Sequence, residues 1–260
     1  MEQRIRRETL IHLVLEYNTV LIFLAMLVLA ASLSDVFFSR NNIFNLLRQV
    51  AGLAGMGLGM LLVILTAGID LSVGSVAALA SVMVAWLLGV SGLWPALVLT
   101  VAIGSLCGAV SGYLVAARNM APFVATLAMM TIARGFAFIV SKGSPIIIAD
   151  PRLNSFGSAY WLGVPTPVFV MVVIFGLVAF LLRFTVFGRI VTAIGSNEAA
   201  VRLAGIRTGW YKFAVYCISG AFIGNIMNLM NIPDYPQQVV KGLIIIGAVL
   251  LQGWRRNSEA

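Results

Sequence analysis

The chain has very little charge for its length. Only 10% of its 260 residues are Asp, Glu, Lys or Arg, whereas 61% are hydrophobic, and the mean hydropathy is +1.02. Soluble domains carry far more charge, so this composition excludes an ordinary soluble protein. A bilayer core of roughly 30 Å takes about 20 apolar residues per helix, which leaves room for about eight membrane-spanning helices.

Histidine and cysteine are also scarce. His12 is the only histidine, which argues against a histidine-based metal site or catalytic dyad. Cys107 and Cys217 lie in apolar segments, which indicates small buried side chains and no disulfide framework. The sequence lacks a phosphate-binding glycine loop with its lysine, a nucleophile elbow and paired carboxylates. We therefore expect no catalysis, no metal and no cofactor.

Long apolar runs predict an all-α, polytopic transmembrane bundle. Only helices and closed barrels satisfy the backbone in lipid, and runs this long and uniform are helices. Turn signals rich in Pro and Gly, such as residues 91–95 and 233–236, separate the runs. The predicted helices cover residues 17–34, 43–67, 73–90, 94–117, 121–141, 166–187, 211–231 and 237–254, in a single transmembrane domain over residues 1–260.

Lysine and arginine are unevenly distributed between the two sides of this topology. With the N-terminus inside, eleven of them fall at inner helix ends and four at outer ends, whereas Arg48 and Arg134 lie within helices. This bias predicts that both termini and residues 188–210 are cytoplasmic, and that residues 142–165 form an external loop. The net charge of +8 is thus a topological signal, and we expect no nucleic-acid partner.

Small residues recur at helical spacing in two predicted helices. Gly104, Gly108 and Gly112 fall four residues apart, as do Gly55 and Gly59. Small residues at this spacing let helix backbones approach closely in lipid. The pattern predicts close packing, and the alternative is that glycine is simply frequent in membrane helices.

One carboxylate interrupts the apolar pattern between the second and third predicted helices. Asp70 lies close to Ser72 in a turn that also holds two glycines. Ionisable groups at membrane depth indicate function, and broken helices line substrate paths in transporters. In the alternative interpretation, Asp70 or Ser72 caps the helix that starts at Val73. The parity of the predicted helices places this turn at the cytoplasmic boundary.

Arg134 lies in the middle of a predicted helix, roughly 20 Å from its start at Ala121. Its guanidinium needs a carboxylate, backbone carbonyls or water. A boundary Asp70 is too far away for a direct ion pair. Two interpretations stay open, namely bonds to carbonyls of neighbouring helices and a place with Asp70 and Ser72 on a translocation path.

A polar stretch at residues 188–206 cannot lie in lipid. Asn197 can cap a short helix that runs through Glu198, Ala199 and Ala200. A carboxylate at the positive N-terminus and a small apolar face suit the cleft of a soluble partner. The alternative is an ordinary solvated loop helix.

Four stretches of the sequence resemble the permease subunits of bacterial sugar ABC importers of the ribose, xylose and arabinose type. These are residues 42–47, 59–75, 122–145 and 188–206, of which the second and fourth are specific to the group. The resemblance implies a non-enzymatic subunit that moves a monosaccharide across the bacterial inner membrane. It also implies partners in and around the lipid bilayer: ABC ATP-binding subunits, a periplasmic sugar-binding protein, and a second permease chain that is identical or paralogous.

The resemblance further implies where the ATP-binding subunits dock. The expected coupling residues are Gly188, Arg189, Asn197, Glu198, Ala199, Ala200 and Gly205. Most such importers carry Glu-Ala-Ala followed by a glycine at this place. Here Gly205 follows Glu198 by seven residues, as in the sugar group.

The chain departs from this family in one respect, because family members are longer by about two helices. A Gly-rich stretch usually follows the helix that matches residues 216–220, and it is absent here. We predict an internal deletion with its junction between about Ser219 and Asn225, and therefore a chain that inserts but transports poorly. Two alternatives to a working permease subunit stay open, namely a truncated, transport-impaired remnant of such a permease and an ion-coupled secondary transporter that uses Asp70 and Arg134.

Overall fold

The computed structural model describes residues 18–227 except 145, 147 and 149. This described part contains nine helices and one two-stranded antiparallel sheet: α1 (Asn18–Leu33), α2 (Arg40–Ile64), α3 (Val73–Ser91), α4 (Leu93–Ala117), α5 (Pro122–Ser141), α6 (Pro151–Ser158), β1 (Tyr160–Trp161), β2 (Val164–Pro165), α7 (Thr166–Phe184), α8 (Val186–Leu203) and α9 (Thr208–Met227). The all-α, polytopic class is confirmed. The predicted helix at 237–254, the turn at 233–236 and both termini lie outside the described residues.

Five of these helices, α2, α3, α4, α5 and α7, are long and apolar enough to cross a membrane. The apolar part of α1, Val20–Leu33, is shorter. The predicted helix at 211–231 corresponds to α9, which begins at Thr208. The polar segment before α9 also folds into a helix, α8, which the sequence analysis treated mainly as a loop.

Two predicted helix ends are wrong because hydroxyl caps place them elsewhere. Ser39 accepts a hydrogen bond from the Asn42 amide at 3.3 Å, so α2 begins at Arg40 rather than at residue 43. Thr185 interrupts the helix predicted for 166–187. It adopts an extended backbone and caps α8, so α7 ends at Phe184.

The core of the described bundle forms around α9, which packs against α2, α3, α4 and α8. Val215 and Tyr216 of α9 are almost completely buried. They belong to a cluster to which α2, α4, α5, α7 and α8 each contribute buried apolar side chains, among them Leu62, Val115, Ala125, Val178 and Val191. The last described helix is therefore central to the packing.

Glycines bring the backbones of α4 and α9 into direct contact. A Cβ atom added at Gly108 would overlap the carbonyl oxygen of Tyr216, and one added at Gly104 would overlap that of Gly220. Gly112 continues the same row, where an added Cβ would lie 3.0 Å from α9 atoms. The predicted close packing at these three α4 glycines is confirmed.

The second glycine pair also lies in the core. A Cβ atom at Gly59 of α2 would lie 3.0 Å from the Ser219 hydroxyl and 3.2 Å from the Ser219 carbonyl oxygen. Gly55, one turn earlier, is buried as well. Close packing is thus confirmed at Gly59, and α9 approaches two different helices through small residues.

Two arginines of α2 attach the 142–165 segment to the bundle. The Arg48 Nη2 atom donates to the Ser158 carbonyl oxygen at 3.3 Å, and its guanidinium carbon lies 4.9 Å from the centre of the Tyr160 ring. Arg40 donates to the Gly163 carbonyl oxygen at 3.4 Å. The sequence analysis predicted only a loop here, whereas the structure has α6 and the β1–β2 hairpin.

The contact between α4 and α9 generates a stability prediction. Replacing Gly108 by Ala forces the two backbones apart, and overpacking of this kind costs about 1–3 kcal/mol or more. We expect a lower thermal unfolding temperature of the detergent-solubilised chain. Gly57→Ala is the matched control, because an added Cβ at Gly57 meets nothing within 4 Å. Equal unfolding temperatures for the two variants would contradict the packing described here.

Candidate functional site

Helix α8 consists of two helices that meet at Asn197. Asn197 has an extended backbone, with φ of −157° and ψ of 92°, and its Oδ1 atom accepts a hydrogen bond from the Ala200 amide at 3.0 Å. Asn197 therefore caps the second half, residues 198–203, which we call the Glu198 helix. The predicted cap is confirmed. The preceding residues, 186–196, form a helix that the sequence analysis did not predict.

The Glu198 side chain faces the start of α9. Its Oε1 atom accepts hydrogen bonds from Arg202 Nη2 at 2.7 Å and from Thr208 Oγ1 at 2.9 Å. Its Oε2 atom accepts one from Lys212 Nζ at 2.5 Å. Arg202 Nε also donates to Thr208 Oγ1 at 3.1 Å. The carboxylate thus connects the Glu198 helix to two residues of α9.

These contacts change the acidity of Glu198. Burial by itself raises the pKa of this carboxyl. The hydrogen bonds from Lys212, Arg202 and Thr208 outweigh that effect and lower the pKa from 4.5 to about 2. The carboxylate is therefore ionised near neutral pH, and it already accepts three hydrogen bonds from its own chain.

A tight turn joins the Glu198 helix to α9. Gly205 has a φ of +80°, a left-handed conformation that glycine adopts without steric cost. The Gly205 amide donates to the Arg202 carbonyl oxygen at 2.9 Å, and the Ile206 amide donates to that of Val201 at 3.3 Å. This pair of bonds is the Schellman arrangement that ends helices. Gly205 therefore shapes the connection to α9.

The opposite face of the Glu198 helix is apolar and exposed. Ala199 and Ala200 are exposed, and 89% of the Leu203 surface is accessible. Val201, in contrast, is buried. Sequence reasoning missed Leu203, although it lies four residues after Ala199 and so shares its helix face. The two faces of this helix thus separate a bonded carboxylate from a free apolar surface.

Gly188 and Arg189 lie at the other end of α8. Gly188 is buried where the chain turns from α7 into α8, and a Cβ atom there would overlap the backbone of Leu182. Thr185 accepts a hydrogen bond from the Gly188 amide at 3.2 Å. Arg189 is exposed. The structure therefore does not bring these two residues together with the Glu198 helix.

The turn at residues 65–72 packs against three other elements. A Cβ atom at Gly195 of α8 would overlap the carbonyl oxygen of Leu65. The Thr126 hydroxyl of α5 and the Tyr216 hydroxyl of α9 donate to the Ile69 carbonyl oxygen at 3.3 Å and 3.4 Å. This turn, which contains Asp70, is consequently held by α5, α8 and α9.

Asp70 is buried and holds the start of α3. Its Oδ1 atom accepts hydrogen bonds from the Ser72 amide at 2.9 Å and from the Ser72 hydroxyl at 2.6 Å. Ser72 is the N-cap residue of α3, but its side chain makes no capping bond. The capping interpretation is therefore wrong for Ser72. For Asp70 it holds in a modified form, because the amide that it binds is that of the N-cap residue.

Arg134 lies on the exposed side of α5, whereas Met129 and Ala133 of the same helix pack against α3. Among the described residues, no carbonyl accepts a hydrogen bond from the Arg134 side chain. The expected bonding to neighbouring helices is thus absent from this part of the chain, because the side chain points away from them. The structure does not bring Asp70 and Arg134 together, which agrees with the prediction that they are too far apart for a direct ion pair.

The five long apolar helices and the polar segment between α7 and α9 are typical of a multi-pass membrane protein. The chain belongs to the permease family described as "Branched-chain amino acid transport system / permease component", which matches residues 42–257. It is accordingly a multi-pass protein of the bacterial inner membrane. As a family member it is a transport subunit.

Several curated relatives are similar over most of the chain. The ribose import permease protein RbsC of Escherichia coli strain K12 is 37% identical over 92% of this chain and 77% of its own length. The L-arabinose ABC transporter permease protein AraH of Azospirillum brasilense is 33% identical over 89% and 71%. RbsC of Haemophilus influenzae is 31% identical over 89% and 92%. No solved structure matches the chain.

The Haemophilus influenzae alignment bears on the predicted deletion. It extends over 298 positions, more than the 260 residues of the whole chain. Part of that relative therefore lies opposite a gap in this chain, which agrees with an internal deletion. The junction between Ser219 and Asn225 remains a prediction, and α9 runs through these residues as a continuous helix.

The hydrogen bonds of Glu198 generate a pH prediction. A pKa lowered from 4.5 to about 2 means that the carboxylate stabilises the fold fully above pH 4.5, and that this contribution is lost as the pH falls towards 2. We expect the difference in unfolding temperature between the native chain and Glu198→Gln to be constant above pH 4.5. Below that pH it should shrink. A difference that grows on acidification would contradict the assignment.

Proposed function

We propose that the chain is the membrane-spanning permease subunit of an ATP-driven, binding-protein-dependent importer that moves a monosaccharide across the inner membrane. The relatives named above for ribose and arabinose import support a sugar as the substrate. The observation that carries the proposal is the Glu198 helix, a capped helix between α7 and α9 with one exposed apolar face. Such a face suits the cleft of a soluble partner.

The partner proposed for this face is an ABC ATP-binding subunit on the cytoplasmic side. Leu203, Ala199 and Ala200 form a small convex surface that can enter a cleft, and burial contributes roughly 25 cal/mol per Å² of apolar surface. Arg183, at the end of α7, and Arg207, just before α9, flank the segment. Basic residues at this place favour a cytoplasmic location. ATP hydrolysis is assigned to that separate subunit.

The opposite end of the bundle is proposed to receive a periplasmic sugar-binding protein. Residues 151–165 fold into a small platform of α6 and the β1–β2 hairpin. The hairpin tip exposes Trp161 and Leu162, with 82% of the Leu162 surface accessible. Arg40 and Arg48 hold this platform in place, so a docked protein meets an ordered surface.

Arg134 supports a translocation path between this chain and a second permease chain, identical or paralogous. A guanidinium in mid-helix costs about 2.5–3.5 kcal/mol when it faces lipid, so such groups face water or protein. Of the four carboxylates in the described part, Asp35, Asp70, Asp150 and Glu198, the last three are bonded to residues other than Arg134. The proposed path therefore runs along the exposed side of α5, with Asp70 and Ser72 near its inner end.

The two alternative functions, a secondary transporter and a transport-impaired remnant, predict different roles for the residues described above. An ion-coupled secondary transporter would use Asp70 and Arg134 jointly, yet these side chains lie apart. A transport-impaired remnant would keep the docking face and lack uptake, and the gap in the alignment favours that alternative over the secondary transporter. Sugar uptake that survives ATP depletion while the ion gradient is held would favour the secondary transporter.

Docking at the Glu198 helix predicts the effect of a charge on its apolar face. We expect Leu203→Asp to abolish co-purification of the ATP-binding subunit from membranes, because a carboxylate is then desolvated in the interface. Leu162→Asp is the matched control, since this leucine is equally exposed but lies in the hairpin. Retention by Leu203→Asp, or loss in the control alone, would overturn the proposed docking face.

The same preparations test transport. Uptake of radiolabelled D-ribose, L-arabinose and D-fructose is measured in cells that carry the native chain with its ATP-binding subunit and binding protein. Retention of the subunit together with ATP-dependent uptake establishes an active permease. Retention without uptake of any of these sugars identifies the remnant, with the docking face intact.

The proposed path predicts aqueous access to α5. In a Cys107→Ser, Cys217→Ser background, Thr131→Cys is placed next to Arg134 on the exposed side of α5. We expect it to react with a charged, membrane-impermeant thiol reagent in proteoliposomes, because water lines the path. Val173→Cys on α7 is the control, as it is also exposed but lies in a wholly apolar run. If both cysteines are equally protected from the thiol reagent, the proposed path is contradicted.

A further inference from the structure

We propose that Glu198 fixes the Glu198 helix to α9, so that the two helices move as one rigid body about Asn197. We call the bonds of the Glu198 carboxylate the strut and this rigid body the lever. The proposal rests on the proposed function only in that a docked ATP-binding subunit supplies the force. The geometry of the strut does not depend on that partner. Glu198 is thus a positioning residue, and the docking contact lies on the other face of the Glu198 helix.

Hydrogen bonds among four side chains fix the Glu198 helix to α9. The carboxylate binds Lys212 and Thr208 of α9 through different oxygen atoms, at 2.5 Å and 2.9 Å. Arg202 closes the triangle by donating both to Glu198 and to Thr208. Because Thr208 is buried and the Lys212 side chain is only 18% exposed, water competes poorly for these bonds. The Schellman turn at Gly205 makes the connection between the two helices short.

The other end of the Glu198 helix has a weaker connection. At Asn197 the backbone leaves the helical conformation, and the helical bonding is interrupted. The Asn197 side chain bonds forward to Ala200, so it belongs to the Glu198 helix rather than to the preceding one. The first half of α8 is itself held against the 65–72 turn at Gly195. Rotation is consequently easiest about Asn197.

Helix α9 passes such a rotation on to the membrane part of the bundle. Its backbone touches α4 at Gly104 and Gly108, where no side chains intervene to absorb a displacement. Its Tyr216 hydroxyl also reaches the Ile69 carbonyl oxygen in the turn that holds Asp70. A force on the exposed face around Leu203 therefore reaches α4 and the 65–72 turn through α9. Packed interiors transmit such displacements because they compress little.

The lever can be measured in the full chain in nanodiscs, without any partner. Spin labels are placed at Ala199 and Trp210, both exposed, in a background without the native cysteines. The native chain is expected to give one narrow distance distribution. Glu198→Gln and Lys212→Met should each broaden it at least about twofold, because the Glu198 helix then swings about Asn197. Arg207→Met is the matched control, since this exposed arginine lies on the same turn.

A second pair of spin labels shows whether a variant has misfolded. Labels at Val98 of α4 and at Trp210 report on the α4–α9 contact, and we expect their distribution to stay unchanged in every variant. The reversed pair Glu198→Lys with Lys212→Glu should recover part of the narrow distribution between Ala199 and Trp210. Unchanged distributions in Glu198→Gln and Lys212→Met would overturn the strut, as would broadening of the Val98 pair to the same extent.

Co-purification separates this inference from the proposed function. With the strut removed by Glu198→Gln, the ATP-binding subunit is expected to remain bound, because the face around Leu203 is intact. Loss of the subunit in Glu198→Gln together with its retention in Leu203→Asp would show that the carboxylate is itself the docking contact, and would overturn the strut. Loss in Leu203→Asp alone supports both proposals.

Discussion

The direct backbone contact between α4 and α9 is the constraint on which the described bundle depends. No side chain separates Gly104 or Gly108 from the facing carbonyl oxygens, so the small glycines determine how closely α9 lies against α4. That position buries Tyr216 and places its hydroxyl on the 65–72 turn. It also directs Lys212 and Thr208 towards Glu198. Dispersion forces between closely packed backbones replace the hydrophobic effect, which gives little driving force between helices in lipid.

Several short polar side chains fix the connections between helices. Asp70 binds the residue that starts α3, Thr185 starts α8, and Asn197 restarts it after the kink. Each is short and lies two or three residues before the amide that it binds, so it satisfies a helix end where backbone groups lack partners. Glu198 differs from these, because two of its three partners, Thr208 and Lys212, lie on another helix.

Sequence patterns predicted the features that depend on nearby residues. The glycine spacing in α4, the cap at Asn197 and most helices are of this kind, because helix geometry relates positions three or four residues apart. The partners of Glu198 escaped prediction, since Lys212 is fourteen residues away and is reached only through the turn at Gly205. The orientation of Arg134 and the exposure of Leu203 escaped as well. Both features depend on which neighbouring helices cover a given helix face. Hydrophobic periodicity does not reveal this in helices that are uniformly apolar.

The attachment of α6 and the hairpin to α2 has a consequence for how the two ends of the bundle communicate. Helix α2 is 25 residues long, or about 37 Å at 1.5 Å per residue. Arg40 and Arg48 attach the hairpin platform to one end of it, and the other end runs directly into the 65–72 turn beneath α8. A single uninterrupted rod thus joins the platform to the base of the Glu198 helix. A tilt of that rod displaces both ends in opposite directions, and Gly59, which packs against Ser219 of α9, couples the tilt to the core of the bundle.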